Sequence, residues 1–174
     1  YRPVRAALEQ RGVEFRTTSD TEVLLRLYEL EGEACLDEID GMFAFAVWDG
    51  RRRRMVLVRD RVGKKPLFYH RTPFGLAFAS EIKALLRHPT IVPQIDEQTL
   101  PAFFLYGYVP SPRTLYRDIR ALPPGHVLSI EADGRSTLRA YWDVPCSPSE
   151  TGRTTPSESE AAARVRELMT EAVR

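Results

Sequence analysis

Cysteine is scarce: 174 residues hold only Cys35 and Cys146, far apart and in no metal-ligand or redox spacing. Both therefore read as structural or incidental. Histidine is nearly as rare, and His70, His88 and His126 form no local triad pattern with Ser, Cys or Asp. Each is assigned a structural or surface role. Glycine-rich phosphate loops are missing in both their common spacings, so the sequence offers no nucleotide site of that kind. No apolar run approaches the roughly 20 residues that a membrane helix needs; Met42 to Trp48 is among the longest. Charge of one sign is lacking too, since the net is +1, and nothing global draws this chain to nucleic acid. The opening Tyr1-Arg2-Pro3-Val4-Arg5 has no apolar segment behind it and no initiator methionine. A cytoplasmic setting is expected, as is a chain processed or cut from something longer.

What is present suits a soluble globular domain: 43% hydrophobic and 28% charged residues. A chain of about 150 residues hides roughly 68–70% of the surface its unfolded form exposes, enough for one real core. Val4 to Arg11 predicts a short helix ended by Gly12, and Val13 to Thr17 alternates as a brief strand would. Ser19 and Glu22 stand at capping-box spacing ahead of Val23, Leu24, Leu27, Tyr28 and Leu30, with Gly32 closing the helix. Two β-prone runs, Met42 to Trp48 and Met55 to Arg59, flank Asp49-Gly50, a hairpin signal. They carry few polar positions, so the sheet is expected to be covered on both faces.

A second hairpin is expected from Leu67 to His70 and Leu76 to Ala79, turning through Pro73-Phe74-Gly75. Ser80 to Leu86 reads as a capped short helix, and Asp96 to Tyr106 as a helix broken or bent at Pro101. Strands follow at His126 to Ile130 and Leu138 to Trp142. Residues 145–156 turn to Ser, Thr, Pro, Gly and Glu and read as a linker. Beyond it, Ser157 and Glu160 repeat the capping-box spacing before an amphipathic helix with Ala161, Val165, Leu168, Met169 and Ala172 on one face.

Two places could carry chemistry. In Ser19-Asp20-Thr21-Glu22 a carboxylate stands in the first turn of a helix. Either Asp20 simply complements the helix dipole, worth a few tenths up to about 1 kcal/mol, or it points into a pocket and pairs with a ligand's ammonium group. The residues alone leave both open. In Arg59-Asp60-Arg61-Val62-Gly63-Lys64-Lys65-Pro66-Leu67, charges surround a glycine and a proline between two apolar strands. That loop is either a solvated connection or a docking surface for a neighbouring domain, with Arg59, Asp60, Gly63 and Lys65 as its candidate contacts. Arg51 to Arg54 is a hairpin-tip cluster with no interleaved aromatic residue, and it invites no nucleic-acid reading.

Four blocks in register resemble the glutamine-dependent asparagine synthetase family: Ser19 to Val23, Gly41 to Asp49, Arg59 to Leu67 and Phe78 to Glu81. Tyr106 to Pro110 and Leu122 to His126 extend the match over nearly the whole chain. The resemblance implies an α+β fold, the four-layer α/β/β/α sandwich of the N-terminal-nucleophile amidotransferases, incomplete at its N-terminus. It implies a class II glutaminase portion at 1–144, a linker at 145–156, and the first helix of a synthetase domain at 157–174.

In that family a leading cysteine attacks the glutamine side-chain amide, and the ammonia goes to an ATP-using domain that makes asparagine from aspartate. Asp20, with Ser19 beside it, would hold the glutamine's α-amino group. No catalytic residue and no metal ligand is expected in these 174 residues. The nucleophile and the Asn-Gly-Glu block would lie upstream, and the Ser-Gly-Gly-x-Asp-Ser pyrophosphate loop beyond Arg174. This stretch is expected to bind no cofactor; ATP and magnesium belong to the synthetase domain. L-glutamine and that domain are the implied partners, and the resemblance leaves room for a homodimer of the intact parent. Nucleic acid and membrane are not expected, and the isolated chain is expected to lack glutaminase activity. The rival readings are a binding module that kept the fold without catalysis, and the glutaminase part of a related amide- or lactam-forming synthetase.

Overall fold

Alternation along one strand sets the architecture. In a β-strand successive side chains point to opposite faces, and β2 (Arg54–Arg59) is apolar at four consecutive positions, Met55 to Val58. Val56 and Val58 join a core with Leu8, Val23, Leu27, Tyr28, Cys35 and Leu36. Met55 and Leu57 face the other way and meet Leu67, Leu122, Leu128, Tyr69 and Leu76. The sheet is therefore covered on both faces, as its shortage of polar positions suggested.

A computed structural model of the chain describes residues 1–72, 75–144 and 156–173. The first sheet has the order β1-β2-β6-β7, from β1 (Ala44–Asp49), β2, β6 (His126–Glu131) and β7 (Ser136–Ala140), all antiparallel. A second, antiparallel sheet has the order β4-β3-β5, from β3 (Phe68–Thr72), β4 (Gly75–Ala79) and β5 (Ile119–Ala121). Outside the first sheet lie α1 (Arg2–Gln10), α2 (Asp20–Glu31) and the single turn α3 (Cys35–Glu38). Outside the second lies α4 (Ile82–Leu85), with Leu85, Ile91 and Ile119 packed on Phe68, Ala77 and Ala79. Helix, sheet, sheet, helix is the four-layer sandwich expected from the sequence.

Several local expectations are corrected. Val13 to Thr17 is no strand: it has no partner strand among the described residues, and Val13 and Phe15 pack on the helical core instead. In the β1–β2 turn Asp49 pairs with Arg54, and the left-handed residue is Arg53 at φ 52°, not Gly50. The Asp49 side chain accepts the amide hydrogens of Arg51 and Arg52 at 3.1 and 3.0 Å and so closes that longer turn. No side chain among the described residues caps α4. The helix expected from Asp96 is a 3-10 turn at Glu97–Thr99 followed by α5 (Leu100–Tyr106). Pro101 sits in the first turn of α5, where a missing N–H costs nothing.

The chain divides into two compact units, Tyr1–Asp143 and Val144–Arg174. In the second, α6 (Glu158–Val173) opens with a reciprocal capping box. Ser157 N donates to Glu160 Oε2 at 2.8 Å, and Glu160 N donates to Ser157 Oγ at 3.3 Å. Residues 145–155 of the expected linker, Cys146 among them, and the Pro73-Phe74 turn lie outside the described residues.

Leu57 is wholly buried between the two sheets. Leu57→Ala is expected to lower unfolding free energy by about 2–5 kcal/mol, read by chemical denaturation. A loss below about 1 kcal/mol would contradict the placement of Leu57 in a tightly packed inter-sheet core.

Candidate functional site

The start of α2 holds two carboxylates with different fates. Ser19 is its N-cap in extended conformation, and its hydroxyl accepts the amide hydrogen of Thr21 at 3.1 Å. A plain capping box would send Glu22 back to the amide of Ser19. That amide already donates to Thr17 Oγ1 at 3.2 Å. Glu22 reaches further and accepts from the amides of Arg16 and Thr17 at 2.9 and 2.7 Å, and from the Thr17 hydroxyl at 2.6 Å. The amide of Arg16, then the hydroxyl of Thr17, hold its carboxyl down at about 2.

Asp20, the first residue of α2, stays uncommitted. Its Oδ1 lies 3.5 Å from the Ser19 hydroxyl and 3.4 Å from the Thr21 hydroxyl, both at the long limit of a hydrogen bond. Its carboxylate therefore remains open to another donor. It lines a cavity of about 620 Å³, together with Thr21 and Leu24 of α2, Phe43 and Phe45 at the start of the first sheet, and Lys65, Pro66 and Ser80. A cavity of this size with apolar walls and a few polar groups suits a small ligand. Asp40 also lines it and pairs with Arg61 at 3.5 Å. Ser19 is not on the wall; its hydroxyl is taken by the cap and acts on the site through the helix start.

The loop from Arg59 to Pro66 is tied to itself and to the segment around Leu122. Arg59 donates to the carbonyls of Lys65, Leu122 and Gly63 at 2.8, 2.7 and 2.8 Å. Asp60 is fully buried and accepts the amide hydrogens of Lys64 and Lys65, each at 2.8 Å. Burial alone would raise the Asp60 carboxyl, but the amides of Lys65 and Lys64 outweigh it and hold it below the usual value. Gly63 has φ 69°, and a Cβ there would stand 2.8 Å from Pro124 Cγ, so only glycine fits. Of the four expected docking contacts, Arg59, Asp60 and Gly63 are thus engaged within the protein, by the loop's own backbone and by Leu122 and Pro124. Lys65 is exposed and reaches the cavity wall.

Cys35 is no candidate nucleophile. It is fully buried, and burial, with the charges of Glu31 and Glu33 next, pushes its thiol up to about 12. A thiol in that state supplies almost no thiolate at neutral pH. The histidines are held locally: Nδ1 of His70 and of His126 lie 3.1 and 2.7 Å from the carbonyls of Asp118 and Pro124. His88 Nδ1 lies 3.0 Å from the Thr90 hydroxyl. Among the described residues no group of three or more His, Cys, Asp or Glu could hold a metal ion. None of the described helices is long and apolar enough to cross a membrane.

The cavity wall was only partly visible in sequence. Asp20, Phe43, Phe45, Lys65 and Ser80 fall in the four blocks, although the two phenylalanines read there as strand residues; Leu24 read simply as core, and nothing local marks Asp40. Those residues meet only because β1 and α2 pack together.

Because the folded Glu22 carboxyl is lowered from 4.5 to about 2, its stabilising effect is present above 4.5 and lost as pH falls towards 2. Thermal unfolding of Glu22→Gln is expected to show a weaker acid dependence across that window than the parent chain; identical profiles would contradict the role of Glu22. In a Cys146→Ser background, Cys35 is expected to resist an aromatic disulfide reagent until denaturant is added. Rapid labelling of the native protein would contradict its burial.

Residues 1–142 match the family model described as a glutamine amidotransferase domain. Asparagine synthetase [glutamine-hydrolyzing] 3 of Bacillus subtilis (strain 168) is 40% identical over 171 residues, 98% of this chain and 27% of the relative. Amidase chyE of Penicillium rubens is 31% identical over 92% of this chain and 23% of its own length. Among solved structures, glutamine phosphoribosylpyrophosphate amidotransferase from B. subtilis shares the fold at TM-score 0.52 and 23% identity, over 79% of this chain and 26% of that one. The chain thus spans about a quarter of the length of the relatives it matches. A family model covering most of the sequence, on a two-sheet sandwich with an acidic cavity, leaves one assignment: this chain belongs to the glutamine amidotransferase domain family.

Proposed function

We propose that this chain is the glutamine-binding portion of a glutamine-hydrolysing asparagine synthetase. One observation carries the reading: the uncommitted carboxylate of Asp20 on the wall of a cavity of about 620 Å³. A carboxylate there accepts charge-assisted hydrogen bonds from an α-ammonium group, roughly twice as strong as neutral ones. Asp20 thereby orients the substrate and leaves its side-chain amide for attack. A thiol outside the described residues attacks the amide carbon, its proton passing to the departing nitrogen as ammonia leaves, and water then cleaves the thioester to glutamate and the free thiol. Cys35 has no part in this step.

The ammonia then serves an ATP- and magnesium-dependent synthetase portion of the same polypeptide, which amidates aspartate. The relatives named as glutamine-hydrolysing asparagine synthetases support that acceptor. A different acceptor, in a related amide-forming enzyme, is the second reading; the chain also matches a relative that is not named an asparagine synthetase, amidase chyE.

In the intact enzyme, Asp20→Asn is expected to raise KM for glutamine by about tenfold or more, the scale of one hydrogen bond to a charged group. The ammonia-dependent rate should stay near that of the parent. Equal loss with both nitrogen sources would refute the role of Asp20, and amidation of an acceptor other than aspartate would favour the second reading.

A further inference from the structure

We propose that Asp60 is a positioning residue for the glutamine cavity, its buried carboxylate fixing the Lys65–Pro66 wall against the wall formed by Phe43. This role rests on the glutamine reading above. Three observations carry it.

First, each carboxylate oxygen is matched to one backbone amide. Oδ1 accepts from Lys64 and Oδ2 from Lys65, both at 2.8 Å, with the residue fully buried. Second, the main chain of Asp60 ties separate parts of the site together. Its N–H donates to the Phe43 carbonyl at 2.9 Å, and its own carbonyl accepts from Gly63 and Gly125 at 3.1 and 2.9 Å. Third, Lys65 is held at both ends of its backbone: Asp60 takes its N–H, and the Arg59 guanidinium donates to its C=O at 2.8 Å.

Phe43, Lys65 and Pro66 all line the cavity that Asp20 lines. Burying a carboxylate is costly unless every lone pair has good company, and an apolar side chain could seal a surface loop more cheaply. What the carboxylate adds is position. It grips the two amides directly ahead of the cavity wall, where a displacement of about 1 Å in a substrate-positioning group can cost up to about a hundredfold in rate.

Asp60→Asn in the intact enzyme is the direct test, because the amide keeps one acceptor and turns an NH2 group towards the second backbone N–H. KM for glutamine is expected to rise by about tenfold while kcat changes less. Ammonia-dependent synthesis should stay close to the parent. A second variant, Gly63→Ala, strains the same loop from its other end through the contact with Pro124, and the same split is expected. It decides the matter if Asp60→Asn does not fold. An unchanged glutamine KM in the folded variants, or proportional loss with glutamine and ammonia, overturns the proposal. Parent enzyme that hydrolyses no glutamine would instead contradict the proposed function itself.

Discussion

Glu22 accepts the amide hydrogens of Arg16 and Thr17, and so anchors the segment that leads into the helix start where Asp20 stands. Had Glu22 folded back on Ser19, the segment ahead of α2 would have lost its anchor. With the segment pinned, α2 begins at a fixed point beside β1, and Asp20 faces the cavity rather than stabilising its own backbone. The helix dipole still favours a negative charge there, so the site is electrostatically suited to an anion that in turn attracts a cation.

The sandwich makes the rest of the cavity rigid. Val56 and Val58 anchor the helical layer while Leu57 anchors the second sheet, so β2 fixes both sides at once. β1 pairs along the full length of β2, which sets where Phe43 and Phe45 stand. Arg59 ends β2 and Asp60 immediately turns the chain, so the loop bearing Lys65 and Pro66 inherits the position of the strand before it. Cavity-lining groups thus sit on the ends of well-packed elements, where a site can keep its geometry.

Much of this was legible in the sequence. Four apolar positions in a row from Met55 to Val58 indicate a sheet covered on both faces, and Ser19 with Asp20 marks a helix start bearing a spare acid. Other features depend on neighbours that the sequence does not show. The partner of Glu22 was decided by the Thr17 hydroxyl, which takes the Ser19 amide first. The left-handed position in the first hairpin moved from Gly50 to Arg53 because the register pairs Asp49 with Arg54. β5 escaped notice because three residues carry almost no periodic signal and its partner, β3, lies about fifty residues away in the chain. The charged loop read either as a solvated connection or as a docking surface, and only burial shows that Asp60 is turned inward.

That the Asp20 carboxylate reads the ammonium group of an amino acid is tested most directly with a pair of ligands, L-glutamine and its des-amino analogue 4-carbamoylbutanoate. Their dissociation constants are measured in a nucleophile-blocked form of the intact enzyme, once with Asp20 in place and once with Asp20→Asn. The two ligands differ only in the α-ammonium group, so the ratio of their constants isolates the contact in question. With Asp20 in place, glutamine is expected to bind more tightly by about tenfold or more, and in Asp20→Asn the two ligands are expected to bind almost equally. A preference for glutamine that survives the substitution undiminished would contradict the account.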